Sequence, residues 1–213
     1  MGTGQGGRKA AQLTSGTRRQ IHTARVHREA NALNAVFHGK CELDNHADTC
    51  CVGKNFIPLY YTGKICDVSP FLQELPSQEG IAVCTAATAF DDDQGTTFIL
   101  VIDEALWFGE CMEHSLINPN QIRATGIKLC DDPTDPYRDL GIEVEGINIP
   151  FHMEGSICSF KSRTPTDWEL KNCRQIELTS DTEWEPDGLH FGLHSEALLD
   201  APLTISAYKT RHR

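Results

Sequence analysis

The sequence predicts a mainly β protein with one short helix and a β-rich C-terminal extension. Three observations carry that prediction. Residues 81–90 and 96–102 are apolar, free of Pro and Gly, and separated by the polar turn 91–95, which is the signature of a β-hairpin. Other short apolar runs are punctuated by Gly53, Pro58 and Gly63, too closely spaced for long helices. One stretch carries helix punctuation: Asn118 as a cap, Pro119 in the first turn, Ile122 on the inner face and Gly126 after the end.

In chain order, residues 1–35 form a basic segment expected to be mostly disordered, although Ile21, Val26, Ala30 and Leu33 recur at roughly helical spacing within 21–36. Strand signals begin near Phe37, where Cys41 and Leu43 alternate with Lys40, Glu42 and Asp44. Further strands are expected at 52–59 and 62–68, then the hairpin, which runs into Leu106, Trp107 and Phe108. Residues 36–130 are expected to form the main domain. Residues 131–185 form the extension, with strands at 142–151, 156–161 and 174–179 and a turn of helix capped by Thr164 or Thr166. Residues 186–213 read as a tail.

Apolar residues make up 39% of the 213, enough for a real core. No run of 18 apolar residues occurs, so no membrane partner is expected. The N-terminus lacks the apolar stretch of a secretory signal, and Gly6 occupies the place where a myristoylation motif has Ser or Thr. Nine cysteines with no CxxC pair then read as reduced thiols acting as small core hydrophobes, which implies an intracellular, cytoplasmic protein. The net charge of −11 is uneven. Residues 1–35 carry six Arg and Lys against Glu29, a net +5, which leaves −16 for residues 36–213. Such a body repels phosphates, so nucleic acid is not an expected partner except through the basic segment.

The candidate chemistry lies in Cys41-Glu42-Leu43-Asp44-Asn45-His46-Ala47-Asp48-Thr49-Cys50. An apolar strand delivers Asp44 into a tight polar turn, Asn45-His46-Ala47, and a second carboxylate, Asp48, follows. Read locally, this is either an active-site turn or a surface turn with two solvated carboxylates. Rival constellations are weaker. Cys41, His46, Cys50 and Cys51 make an incomplete zinc spacing, the Asp91-Asp92-Asp93 run lacks the ligand pattern of a calcium loop, and His114-Ser115 lacks a nucleophile elbow. No cofactor or metal is therefore expected. Trp107, Trp168 and Trp184 read as core or rim anchors.

LDNHADT at 43–49 resembles the retropepsin signature, in which a strand ends in Asp, then Ser or Thr, Gly, Ala and Asp; the match holds at Leu43, Asp44, Ala47 and Asp48. Ser115-Leu116-Ile117-Asn118 is similar to the family's apolar pair before its short helix. The longer phrases HADTCCVGKNF, HSLINPNQIRATGI and LTSDTEW resemble copia-type retrotransposon polyproteins, over residues 37–184. The resemblance implies a retropepsin-like acid protease barrel, one subunit of a two-fold dimer, with Asp44 as catalytic carboxylate. The partners implied are a second copy of the chain and a polypeptide substrate. It places Asp48 just beyond the turn, holding substrate backbone or the loop, and a flap with its tip near 76–80. Two residues depart from the family: Asn45 stands for the hydroxyl that braces the dimer, and His46 for the glycine. The resemblance therefore leaves open an aspartic endopeptidase that processes its own polyprotein and an inactive module of the same fold serving dimerisation or scaffolding.

Overall fold

The computed structural model describes residues 18–20, 36–70 and 74–188. The helical spacing within 21–36 and the tail beyond 188 lie outside the described residues. Within the segment expected to lack structure, Arg18–Gln20 forms strand β1.

The protein is mainly β, as its sequence predicts. The turn motif is flanked by β2 (His38–Leu43) and β3 (Cys51–Gly53). The strands expected at 52–59 and 62–68 are instead one strand, β4 (Ile57–Ser69), preceded by the short β3. Pro58 and Gly63 do not break it; register shifts between Pro58 and Tyr60 and between Tyr61 and Ile65 absorb them. The hairpin follows as β5 (Gln78–Asp91) and β6 (Thr97–Gly109). Its turn is built on Asp92, whose carboxylate accepts the N–H groups of Gln94 and Thr96 at 2.9 and 2.7 Å. At least one member of the acidic run is thus a turn former. Because β5 begins at Gln78, most of the 76–80 stretch expected at a flap tip belongs to a strand.

After β6 come β7 (Ser115–Ile117) and α1 (Pro119–Arg123), capped by Asn118 and with Ile122 fully buried, as the sequence indicates. β8 (Lys128–Cys130) ends the stretch expected to form the main domain, and the extension holds β9 (Gly141–Val144), β10 (Ile147–Pro150), β11 (His152–Glu154) and β12 (Ile157–Arg163), then α2 (Asp167–Asn172) and β13 (Arg174–Glu177). The turn of helix expected after Thr164 or Thr166 is α2, with Thr166 making a full capping box with Glu169. The single strand expected over 142–151 is a hairpin. Glu145 and Gly146 both have positive φ, 47° and 83°, as a tight two-residue turn of the primed type requires.

The strand pairings close a circuit, β5–β12–β2–β7–β3–β6 and back to β5. β4 lies outside β5, β1 outside β4, β11 outside β12, and β13 runs parallel to β6 outside it. The stretch expected to follow the main domain thus supplies an interior member of its sheet. β12 pairs antiparallel with β2 along Ser159–Arg163 and meets β5 at Ala89. It also supplies Phe160, 1% exposed, which packs edge-on to Phe90 and is stacked with Phe151. The small sheet β10–β9–β8 adds Leu129, Ile142, Val144 and Ile149 to the same core. Alternation on β6 has one interruption. Phe98, Leu100 and Ile102 face the main core, and so does Ala105, because Asp103 and Glu104 together oppose Thr85 alone. This bulge reverses the parity of the strand beyond it.

Arg163 ends β12 by gripping two carboxylates. It donates to Asp91 at 2.7 and 2.8 Å and to Glu169 at 3.0 and 2.6 Å, joining β5, β12 and α2. The guanidinium holds the Glu169 carboxyl down to about 2 and the Asp91 carboxyl below its ordinary range.

Two outcomes follow. Phe160→Ala should cost about 3–5 kcal/mol in urea unfolding, the range for a buried aromatic; a loss under about 1 kcal/mol would show that β12 does not complete the core. The Glu169 carboxyl is depressed in the folded state, so its contribution is present above the unfolded value near 4.5 and is lost as pH falls towards 2. Wild-type stability should decline over that window, and Glu169→Gln should be less stable at pH 7 with a shallower acid decline. Parallel acid profiles for the two proteins would discount the Arg163 grip.

Candidate active site

Asp44 follows the last residue of β2 and opens the turn to β3. Its backbone N–H donates to the Ile117 carbonyl at 3.0 Å, prolonging the parallel β2–β7 pairing by one bond. The turn beyond it is pinned from several sides. Asn118, which also caps α1, donates its side-chain N–H to the Ala47 carbonyl at 2.9 Å. Gln121 on α1 accepts the Cys50 N–H at 2.9 Å, and the Leu106 N–H on β6 donates to the Cys50 carbonyl at 2.9 Å. The indole N–H of Trp184 donates to the Asp48 carbonyl at 2.8 Å from 136 residues away.

The Asp44 carboxylate is 8% exposed. Its Oδ1 accepts the His46 N–H at 2.9 Å, which folds the turn back on the carboxylate, and the His46 imidazole Nδ1 stands 3.8 Å from the same oxygen. Its Oδ2 is buried with no hydrogen-bond partner among the described residues. A buried carboxylate oxygen without a partner is costly, so its retention needs a reason beyond folding. Asp44 lines a pocket of about 150 Å³ together with Glu42, Leu43, His114, Leu116, Ser156 and Ile157. Ser156 and Ile157, where β11 turns into β12, and His114, before β7, form walls beside the carboxylate.

The other turn residues divide. Asn45 and His46 are exposed, His46 to 71% of its side chain, while Ala47 is fully buried and Asp48 half-buried. Cys41, Cys50 and Cys51 are fully buried, so His46 does not converge with them. Burial pushes the Cys41 and Cys50 thiols up to about 12, which leaves them protonated and unreactive at neutral pH. Cys50 and Cys51 face different core clusters, as neighbours on a strand must.

Behind the turn lies a buried polar cluster that the sequence does not announce. Asn55 donates to Ser162 at 2.8 Å and accepts from Ser115 at 2.6 Å; Ser115 in turn accepts the Gly53 N–H at 2.9 Å, and Thr88 donates to the Asn55 carbonyl at 2.7 Å. Ser115 is therefore a brace between strands, with its hydroxyl already engaged on both sides. Its neighbour His114 is the residue sequence reasoning missed. Its Nδ1 is buried with no hydrogen-bond partner among the described residues, and it shares the Asp44 pocket. Adjacency in sequence to Ser115 drew attention to a pairing that the strand geometry does not make.

A larger depression of about 940 Å³ lies along Lys128, Glu143, Glu145 and Glu177. Its charged groups are exposed, with Lys128 3.7 Å from Glu143, so it offers no desolvated group for chemistry. Among the described residues no group of three or more His, Cys, Asp or Glu is arranged to hold a metal ion, and no helix is long and apolar enough to cross a membrane. The chain matches no protein-family model, and no curated protein or solved structure matches it, so the case for Asp44 rests on the geometry of the turn and on the motif that forms it.

Proposed function

We propose that this chain is an aspartic endopeptidase, the retropepsin-like region of a copia-type retrotransposon polyprotein, in which Asp44 pairs with the Asp44 of a second copy. The observation that carries the reading is the Asp44 carboxylate itself. It is held by a turn pinned on all sides, it keeps one buried oxygen unpartnered, and it lines a pocket. The closed six-strand circuit supports a barrel of the retropepsin type, as does the order of carboxylate turn, β7 and short helix. The substrate class is polypeptide.

Two carboxylates about 3 Å apart cannot both ionise near neutrality, so one proton is shared between them. The ionised member takes a proton from water, the water attacks the peptide carbonyl, and the protonated member donates to the carbonyl oxygen. The pair titrates as a unit. A single chain contributes one such turn, so the second carboxylate comes by two-fold symmetry. His46, 3.8 Å from Asp44 Oδ1, stands where the retropepsin signature has glycine.

One observation favours a second reading, a catalytically inactive module of the same fold that serves dimerisation or scaffolding. Ser156 and Ile157 line the pocket in which Asp44 sits, so one chain already surrounds the carboxylate that a partner's Asp44 has to reach.

Asp44→Asn keeps the shape of the side chain but cannot act as base or share the proton. Peptide cleavage by this variant should fall at least about a hundredfold, with the melting temperature little changed. Asp48→Asn should retain activity; the reverse pattern would move the catalytic role to Asp48, and absence of cleavage by the wild type from acidic to neutral pH would favour the inactive module. Specific activity should also rise with enzyme concentration until dimers saturate, in step with the mass measured by sedimentation. A monomer with concentration-independent specific activity would rule out the shared site.

A further inference from the structure

We propose that Trp184 is a positioning residue for the Asp44 turn, a role that rests on Asp44 being the catalytic carboxylate. The turn is anchored at its entrance by Ile117 and at its exit by Gln121 and Leu106. Between them Asn118 holds the Ala47 carbonyl and the Trp184 indole holds the Asp48 carbonyl at 2.8 Å. Trp184 is the one of these anchors that comes from beyond β13, and the chain leading to it is tied to β6 at several points. The Leu178 N–H donates to the Val101 carbonyl at 2.9 Å. The Thr179 hydroxyl accepts the Asp103 N–H at 2.7 Å and donates to the Asp103 carbonyl at 3.0 Å. The Trp184 N–H then donates to Glu104 Oε2 at 3.4 Å.

The bulge on β6 receives this strap. Glu104 is 4% exposed and holds a φ of 54°, a left-handed conformation unfavourable for a residue with a side chain. That conformation sets its carboxylate against Lys64 of β4, at 3.3 Å, as well as against the Trp184 N–H. Lys64 also reaches Glu183, at 3.5 Å. The strap therefore connects three parts of the site: the catalytic turn through Asp48, β6 through Glu104, and the long β4–β5 hairpin through Lys64. The Gln121 side chain completes the arrangement by donating to the Asp103 and Glu104 carbonyls while accepting from Cys50. Loss of the indole bond frees the Asp48 peptide plane, and the His46 N–H that closes the turn onto Asp44 lies two residues away in the same turn.

The test uses the full chain with Trp184→Phe, which keeps an aromatic ring and the backbone N–H but removes the indole donor. Amide hydrogen exchange should accelerate about three- to tenfold at His46 and Cys50, the effect of one lost hydrogen bond. The Leu100 and Ile102 amides of β6 should be unchanged, and the melting temperature should drop by no more than about 4 °C. On a peptide substrate, kcat should fall by a similar factor with KM unchanged. Unchanged exchange at His46 and Cys50 overturns the proposal, and so does acceleration equal to that of the β6 amides, which marks a residue that only packs. A local shift accompanied by wild-type kcat overturns it as well. If the exchange shift is local but neither wild type nor variant cleaves any peptide, Trp184 positions the turn and it is the catalytic reading of Asp44 that fails.

Discussion

The closure of the sheet through β12 is the constraint on which the rest depends. β2 and β5 are separated by 34 residues of chain; β12 fills the edge of β2 along Ser159–Arg163 and meets β5 at Ala89. An unfilled edge leaves backbone N–H and C=O groups unpaired, and here it also removes Phe160 from between Phe90 and Phe151. Because Asp44 directly follows β2, the strand that closes the circuit also fixes the direction from which the carboxylate enters its turn. The same strand begins at Ile157, a wall of the Asp44 pocket. Closure, core and site are consequences of one pairing.

Polar satisfaction around the turn is nearly complete, which makes the exceptions informative. Asn55, Ser115, Ser162 and Thr88 are all buried, and all find partners in one another or in backbone groups. Gly53 permits the close approach of β3 to the segment between β6 and β7: a Cβ at that position would lie 2.2 Å from the Met112 carbonyl oxygen. Asp103 is likewise buried, which raises its carboxyl, yet Thr85 donates to it at 2.5 Å. Against this background, the orphaned Asp44 Oδ2 and His114 Nδ1 in one small pocket stand out as groups not placed for stability.

Much of the local structure was legible. The β5–β6 hairpin, the Asn118 cap with Pro119, the Thr166 cap and the opposed faces of Cys50 and Cys51 follow from short-range rules of turn chemistry, capping and pleat. Three features were misread for local reasons. Gly63 and Pro58 suggested a break in β4, but bulges absorb them. Glu145-Gly146 looked like continuous strand because glutamate seldom takes a positive φ. Residues 131–185 looked like an appendage because their strands are separated from β2 and β5 by loops of variable length, and sequence spacing says nothing about which strand fills a distant gap.

The amino-acid sequence by itself determined the class of fold, the position of the carboxylate turn and the identity of the residue that ends β2, because alternation, capping and turn formation act over a few residues. The tertiary structure alone decided what surrounds Asp44. His114, Ser156 and Ile157 reach its pocket from two other segments, Trp184 reaches its turn from 136 residues away, and His46 faces solvent while Ala47 faces the core. These placements depend on closure of the strand circuit and on the parity reversal at Asp103–Glu104, which are long-range packing outcomes that no local pattern encodes.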